Sequence, residues 1–340
     1  MKLLGRVVRR LLGAAMVIVT IAIGSWGLVT LLPGDPARLL VGPQASEQDV
    51  ANTRRLLGLD KPRLVQLAAY ASRLVHLSHA APRSADHEGC AEVLPHVHVD
   101  LGRSYLYRQP VTRLIQKKLP VSLELALAAI LVQLVLGGAA GLSSAMRPRS
   151  RTDEIVVGTS LLLSTVPTFV LGLGLQYLCA YRLGILPFDG FGRTTAEHLA
   201  SLILPSLTLG LYGAATFSRL VREEARDALE RDHVRTAIAK GAGRSRVVFV
   251  HVLRVALTPI ATLAVLDLGA LVGGAIVVEK IFRLPGLGEM TVNAVQNRDA
   301  PTVVGAVFIS SAAVVLGTLL ADLLVWALDP RARRNELGGR

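Results

Sequence analysis

Six apolar segments, each long enough to form a membrane-crossing helix, recur along this chain of 340 residues. A helix needs about 20 predominantly apolar residues to cross the hydrocarbon core of a bilayer. The segments cover residues 11–32, 120–146, 155–181, 199–217, 255–278 and 303–328. Because 51% of the residues are apolar and the mean hydropathy is +0.49, the sequence predicts an all-α polytopic membrane protein with six transmembrane helices.

Basic residues are distributed unevenly between the segments that join the apolar runs. If the N-terminus is cytoplasmic, the cytoplasmic parts contain twenty Lys and Arg residues and the short outer loops contain five. Positive charge favours the cytoplasmic side, so we expect a multi-pass membrane protein with both termini in the cytoplasm. The first segment, 11–32, is too long for a typical signal-peptide core and is predicted to be retained.

The spacing of the apolar segments predicts three regions. Residues 1–32 form an N-terminal tail and the first transmembrane helix, and residues 33–119 form a large extracytoplasmic region that contains short helices. Residues 120–340 form the transmembrane core, in which a cytoplasmic loop, 218–254, joins the fourth and fifth helices. Glycine pairs and other small residues recur in the core segments and favour close packing between helices.

The cytoplasmic loop, 218–254, has two parts with different composition. Its first part has mixed charge at spacings of three and four residues, which favours a solvated helix that extends beyond the bilayer. Small residues follow, among them Ala239 and Gly241. Glycine permits a left-handed turn and a close backbone approach, so a short helix that ends at Gly241 suits docking into a partner. A loop that is only solvated is the alternative interpretation.

Several motifs of soluble and membrane enzymes are absent from the sequence. No Gly-Lys-Ser or Gly-Lys-Thr occurs, so the chain has no P-loop to cradle ATP phosphates, and any ATPase must be a separate chain. Neither a His-Glu-x-x-His zinc motif nor a Gly-x-Ser-x-Gly nucleophile motif is present. The net charge of +12 lies mainly beside the apolar segments, where it sets topology, so it does not indicate nucleic-acid binding.

Motifs along nearly the whole chain resemble those of the permeases of ABC importers of the dipeptide/oligopeptide/nickel type and occur in the same order. The loop motif places Gly241 and Pro259 after Arg-Thr-Ala, and a later motif carries Gly-Gly, Glu, Phe and Pro-Gly-x-Gly. The matching segments are residues 32–36, 57–60, 100–105, 164–169, 183–187, 235–259, 273–288, 297–301 and 328–331.

The resemblance implies the B-type subunit of such an importer in a bacterial inner membrane, a non-catalytic chain that forms the translocation path together with a sister permease. Partners implied by the family are two ATPase subunits, which use ATP and Mg²⁺, an extracytoplasmic substrate-binding protein and membrane lipid. This chain itself is expected to bind no cofactor. The residues expected to couple it to the ATPase subunits are Asp232, His233, Arg235, Thr236, Ala239, Lys240, Gly241 and Ala242.

The solute is left open by the residues, and the resemblance favours di- or oligopeptides. Import of nickel or of a metal chelate is the alternative within the family. A secondary transporter driven by an ion gradient is an alternative from another class; it would have inverted repeats and polar residues clustered in its helices, and neither is evident in the sequence.

The segment between residues 66 and 100 is longer than expected for the family and contains potential metal ligands. These residues are His76, His79, His87, Cys90, His96 and His98. Imidazole and thiolate groups bind transition metals, but the spacing matches no standard site. A variable surface loop without a bound metal is therefore the preferred interpretation.

Polar residues within the apolar segments are further candidates, because a charge at bilayer depth costs free energy and tends to face a partner or a cavity. Asp267 is predicted to line the translocation path, and Asp322, which matches the family, to lie at the path or at a helix contact. Glu279, at the outer end of the fifth segment, is predicted to form a gate or partner contact, with helix packing as the alternative. Further polar residues at membrane depth are Glu124, Gln133 and Gln176.

Overall fold

The computed structural model describes residues 36–328, except 43, 57, 78–90, 95, 96 and 193, together with isolated positions between 13 and 27. Apart from those positions, the predicted first span, 11–32, lies outside the described residues. The chain divides into two compact units. Of the described residues, one unit comprises those up to Val121 and Gly286–Ala312, and the other comprises Ser122–Pro285 and those from Ala313.

The described residues are mostly helical. The helices, in chain order, are α1 (Pro36–Val41), α2 (Glu47–Leu56), α3 (Arg63–Leu74), α4 (Val111–Val132), α5 (Gly138–Ala145), α6 (Arg151–Thr165), α7 (Thr168–Leu175), α8 (Thr195–Glu230), α9 (Asp232–Ala239), α10 (Arg244–Arg246), α11 (Leu253–Gly274), α12 (Ile276–Ile281), α13 (Leu287–Gln296) and α14 (Ala300–Leu328). Three π-helical turns, Gln133–Gly137, Gln176–Arg182 and Val247–Val252, continue α4, α7 and α10 respectively.

Four continuous helical stretches in the described part of the chain are long and apolar enough to cross a bilayer. They are Val111–Ala145, Thr195–Glu230, Val247–Gly273 and Ala300–Leu328. Each overlaps a predicted segment, but α8 continues well beyond residue 217, as its mixed-charge sequence predicted. The count of six is not confirmed by these helices.

The predicted span 155–181 is not a single straight helix. It is divided into α6 and α7, which are bent by 103° at a short break. The break lies at Val166 and Pro167, whose backbones are extended, with ψ of 123° and 139°. Proline lacks an amide hydrogen and disfavours a helical conformation in the residue before it, which accounts for the break. If the bent pair counts as one span, the described helices provide five.

A small antiparallel sheet within residues 75–99 departs from the predicted all-α fold. The strands β1 (Val75–Leu77), β2 (Ala91–Leu94) and β3 (Val97–Val99) pair in the order β1-β3-β2. The His-rich segment thus contains strands rather than only a loop. The short runs Val-His-Leu and Val-His-Val alternate apolar and polar residues, which is the periodicity of a strand.

In the unit that contains residues 101–121, a buried carboxylate joins two of the family motifs. Asp299 is fully buried and accepts hydrogen bonds from the hydroxyls of Ser104 at 2.5 Å and Thr302 at 2.7 Å. The backbone N–H of Tyr105 donates to the other oxygen of Asp299 at 2.9 Å. Motif 100–105 is therefore fixed against motif 297–301 by hydrogen bonds that leave the carboxylate well satisfied.

In the unit that contains residues 122–285, glycines permit close contact between α5, the π-turn before it and α8. A Cβ atom at Gly141 would lie 2.4 Å from the carbonyl oxygen of Ser218, and one at Gly137 would lie 2.7 Å from Cβ of Phe217. By contrast, a Cβ at Gly138 would meet nothing within 4 Å. The predicted close packing through small residues is confirmed at Gly137 and Gly141, which are four residues apart on one face.

Candidate coupling surface and membrane cavity

The short helix α9 is anchored to the rest of its unit by one apolar side chain. Arg231, with an extended backbone, separates α9 from the end of α8, so the chain turns there. Val234 is 0% exposed. It lies in a cluster with Ala145, Ala225, Ala228, Val247 and Val252. Burial of a valine side chain stabilises a contact by about 1.5–3 kcal/mol, so this cluster holds α9 in place.

Gly241 ends α9 in the conformation that the sequence predicted. Its φ of +81° is left-handed. The N–H of Gly241 donates to the carbonyl of Ile238 at 2.9 Å, and the N–H of Ala242 donates to that of Ala237 at 3.1 Å. These two bonds form a Schellman motif, which satisfies carbonyls at the helix end and normally requires glycine at the left-handed position.

Most residues predicted to couple the chain to an ATPase lie together on the outer face of α9 and its terminal turn. Ala242 alone is half-buried, because it packs against the cluster around Val234. Ile238, which the sequence analysis did not single out, is 50% exposed. We call the exposed set the coupling surface: Asp232, His233, Arg235, Thr236, Ile238, Ala239, Lys240 and Gly241.

Ile238 lies one helical turn after Val234, on the same face of α9. Residues at i and i+4 are neighbours on a helix, so the two side chains belong to one apolar stripe. Val234 is covered by its own unit, whereas Ile238 extends past the cluster. The spacing of these two residues was the available signal in the sequence, and contact of the exposed half of the stripe with another protein stays a prediction.

An ionic cluster fixes the start of α6 to the C-terminal half of α8. The Asp153 carboxylate is buried and accepts from Nε of Arg222 at 2.8 Å and Nη2 of Arg226 at 2.7 Å. It also accepts from the hydroxyl of Ser144 and the backbone N–H of Arg149. Two arginines of the mixed-charge part of α8 thus bind across to Asp153 on another helix. We call Asp153, Ser144, Arg222 and Arg226 the ionic cluster.

A cavity of about 260 Å³ lies among the helices of the same unit, and we call it the membrane cavity. The start of α7, the π-turn after α4, and α8, α11 and α12 contribute its walls. Its polar side chains are Gln133, Thr168, Tyr212, Thr216 and Asp267. The bend at Pro167 brings Thr168 to this wall, and the π-turn begins at Gln133; such turns are frequent at functional sites.

Asp267 and Gln133 meet in the membrane cavity. The Gln133 side chain is 1% exposed, and its amide interacts with the Asp267 carboxylate. Gln133 Nε2 also donates a long bond, 3.4 Å, to the carbonyl of Leu209. A Cβ at Gly213 would lie 2.2 Å from Gln133 Nε2, so only glycine at that position leaves room for the amide. This placement agrees with Asp267 as a path residue, which stays a prediction.

The other two predicted gate or path residues do not line the membrane cavity. Glu279 is 1% exposed and accepts a hydrogen bond from the hydroxyl of Ser122 at 2.7 Å, which favours the packing interpretation. Asp322 is half-buried on α14. Tyr212 and Thr216, both exposed on α8, were not singled out from the sequence, because hydroxyl residues give no signal in an apolar run.

The potential metal ligands of the long segment are only partly described. His76 lies opposite His98 in the β1–β3 pair, and His98 is buried. His79, His87, Cys90 and His96 lie outside the described residues. Within the described part of the chain, no three His, Cys, Asp or Glu residues are grouped to hold a metal ion.

Comparison with known proteins identifies the family. Residues 133–334 match the family described as binding-protein-dependent transport system inner membrane component, and residues 3–126 match the N-terminal family of such membrane components. A Brucella abortus (strain 2308) protein named as a peptide transport system permease is 34% identical over 330 residues, 96% of this chain and 98% of that protein. The glutathione transport system permease protein of Salmonella choleraesuis (strain SC-B67) is 34% identical over 331 residues, 97% of this chain and 99% of that protein.

A solved structure supports the fold assignment. The MetNI methionine ABC transporter in inward-facing conformations matches 64% of this chain and 97% of the compared chain, with a TM-score of 0.51 and 17% identity. At that identity the likeness concerns the fold alone. The resemblance drawn from the motifs is confirmed by the family matches and by the near full-length relatives. The chain is a multi-pass membrane protein and belongs to the inner membrane components of binding-protein-dependent transport systems, the permeases of ABC importers.

Proposed function

We propose that this chain is the permease subunit of an ATP-driven importer that carries di- or oligopeptides across a bacterial inner membrane. It forms the translocation path with a sister permease, receives solute from an extracytoplasmic binding protein and is driven by two ATPase subunits. In this scheme the chain performs no catalysis and binds no cofactor, and the ATPase subunits use the ATP and Mg²⁺.

The names of the relatives support a peptide as the solute. One near full-length relative is named for peptide transport and another for glutathione transport, and glutathione is itself a small peptide. Both cover at least 96% of this chain, so the correspondence includes the extracytoplasmic region as well as the transmembrane core.

The observation that carries the ATPase partnership is the half-covered apolar stripe of α9. Val234 fixes the helix to its unit, while Ile238 and the polar residues of the coupling surface are left for a partner. A short helix held rigidly at one side and exposed at the other transmits displacement as a rigid body. Closure of the ATPase subunits on ATP therefore moves α9, and α9 moves the helices to which it is anchored.

The length of α8 supports a cytoplasmic position for the coupling surface. Its 36 residues span about 54 Å, well beyond the hydrocarbon thickness of about 30 Å. The half that leaves the apolar segment is rich in Arg and Glu and leads directly into α9. Positive charge in this loop favours the cytoplasm, so the coupling surface faces the compartment that contains ATP.

Two alanine substitutions test the proposal. Ala239→Asp places a charge in the coupling surface, and Ala51→Asp makes the same change on exposed α2 in the extracytoplasmic region. Tagged wild type and both variants are purified from the native host, and co-purifying chains are quantified by mass spectrometry. We expect Ala239→Asp to reduce recovery of the ATPase chains at least tenfold, because an unpaired charge desolvated at an interface costs more than about 1.4 kcal/mol. Ala51→Asp should leave that recovery unchanged.

The same complexes establish the solute. Wild-type transporter in proteoliposomes, supplied with ATP and the co-purified binding protein, is expected to accumulate labelled trialanine, and Ala239→Asp is expected to lose this uptake. Equal ATPase recovery with Ala239→Asp and wild type would contradict the coupling surface. ATPase recovery without uptake of any di- to pentapeptide tested would contradict the peptide assignment.

A further inference from the structure

The membrane cavity is lined by one carboxylate and by an amide whose oxygen has no partner. Gln133 is buried, yet its Oε1 atom has no hydrogen-bond partner, while its amide nitrogen is engaged with Leu209 and Asp267. Among the residues that the structure describes, no Lys, Arg or His side chain forms an ion pair with Asp267. The Asp267 carboxylate and the Gln133 side chain, whose buried amide oxygen has no partner, therefore belong to residues that line the same cavity.

This acceptor set matches a ligand group that only donates. A primary ammonium carries a positive charge and three N–H donors and accepts no hydrogen bond. The hydroxyls of Tyr212 and Thr216 on the same wall provide further acceptors. A carboxylate or phosphate at this position would be repelled by Asp267.

The size of the cavity limits how much of a solute it holds. Its volume of about 260 Å³ is slightly below the range of about 300–1,000 Å³ that is usual for pockets which enclose a whole small molecule. One end of a peptide, or one long side chain, fits such a space better than an entire oligopeptide.

We propose that Asp267 and Gln133 bind the primary ammonium group of a solute as it passes through the membrane, an inference that rests on the peptide import proposed above. The group is the N-terminus of a peptide or the side chain of a lysine. A lone carboxylate in an apolar segment costs free energy, and the ammonium offsets this cost while it is bound. Because a single carboxylate supplies the charge, binding stays weak enough for release, as conduction requires.

Cysteine modification measures the charge in the cavity. Thr216→Cys is introduced into the complete transporter that lacks its native thiols (Cys90→Ser and Cys179→Ser), in membrane vesicles of both orientations. Rates are measured for cationic aminoethyl and anionic sulfonatoethyl methanethiosulfonate. We expect Asp267→Asn to lower the ratio of the cationic to the anionic rate at least tenfold, and Asp267→Glu to retain it. An equal ratio with Asp, Asn and Glu at position 267 overturns the proposal. Failure of both Thr216→Cys and Tyr212→Cys to react also overturns it, because water must reach a binding position on the path.

Protection by defined peptides identifies the ligand group. We expect trialanine to slow the cationic modification of Thr216→Cys when Asp267 is present, and N-acetyl-trialanine to have no effect. Equal protection by these two peptides overturns the proposal. N-acetyl-Ala-Lys-Ala separates the two ammonium sources, since it protects only if a lysine side chain also binds.

Uptake of trialanine by the wild type separates the two hypotheses. If uptake occurs and the modification ratio is insensitive to Asp267, the ammonium site fails and peptide import stands. If the ratio depends on Asp267 but no peptide is taken up, peptide import fails and the ammonium site stands.

Discussion

Asp153 shows how a single carboxylate can hold three segments of the chain together. It receives two guanidinium groups from α8, a hydroxyl from α5 and a backbone N–H from the turn between α5 and α6. All partners lie within 3.0 Å except the second nitrogen of Arg222, at 3.3 Å. The ionic cluster sits where α8 begins to leave the apolar segment, so it stabilises the base from which α9 projects.

We expect Asp153→Asn to destabilise the protein by about 2–4 kcal/mol. The loss of one charge leaves two partly buried guanidinium groups without their common partner, and their exposure of 28% and 30% places the cost below that of a fully buried pair. The control is Glu154→Gln, which removes a carboxylate from the same helical turn but at an exposed position. Any effect of the helix dipole is therefore common to both variants.

Thermal denaturation in detergent, followed by the fraction that remains monodisperse, measures both changes. A midpoint for Asp153→Asn that equals that of Glu154→Gln would show that the ionic cluster adds nothing to stability.

A charged residue within an apolar run gives a clear signal in the sequence. The charge of Asp267 marked it as a candidate, because such a charge is rare without a function, and its role in the path stays a prediction. Its proximity to Gln133 could not be predicted, since the two residues are distant in sequence and meet only because of a π-turn and the space left by Gly213. Ile238 was missed because its spacing of four residues from Val234 gains meaning only once Val234 is known to be buried.

At the scale of elements, the positions of the core helices could be predicted from hydropathy, and close helix packing at Gly137 and Gly141 could be predicted from small residues. The apolar runs and the glycine at the end of α9 were sufficient to predict most helices of the core. Two features could not be predicted from the sequence and are seen only in the structure. The bend between α6 and α7 depends on Pro167, which an average over a long window conceals, and the three-stranded sheet depends on strands too short for the pattern to be distinctive.

The contact between α5 and α8 permits a direct test with two glycines of one helix. Gly141→Ala should lower stability by about 1–3 kcal/mol, because the new methyl group would meet the backbone of α8 at 2.4 Å and force the helices apart. Gly138→Ala has open space and should be neutral or stabilising by up to about 1 kcal/mol, as expected for alanine over glycine within a helix.

Denaturation midpoints in the same detergent compare the two glycine variants. If both substitutions raise the midpoint, the close approach of α5 and α8 seen in the structure does not limit their packing.

At the scale of the whole molecule, the distribution of charge predicts the orientation of the chain. We expect cysteines introduced at two exposed alanines to be labelled from opposite sides of the membrane: Ala51→Cys on α2 from the outside, and Ala239→Cys on α9 from the cytoplasm. A membrane-impermeant maleimide is applied to intact spheroplasts and to inverted vesicles of the variant that lacks Cys90 and Cys179.

Labelling of Ala51→Cys only in spheroplasts and of Ala239→Cys only in inverted vesicles would support the orientation. Labelling of both positions in one preparation would place α2 and α9 on the same side and contradict the predicted number of crossings between them. Lysed membranes, in which both cysteines are accessible, serve as the positive control.

The long helix α8 has a mechanical consequence that its separate contacts do not reveal. Gly137 and Gly141 pack closely against it at Phe217 and Ser218, so we expect that region to act as the pivot if α8 swings as a rigid body. From this pivot, α8 extends about 18 Å to its C-terminal end beside α9 and about 33 Å to its N-terminal end. A small displacement of the C-terminal end would therefore produce a displacement nearly twice as large at the N-terminal end. Tyr212 and Thr216 lie beside the pivot, where a lever scarcely moves. A solute bound beside the pivot would therefore move little while the two ends of α8 move in opposite directions, so that the path closes on one side of the membrane and opens on the other.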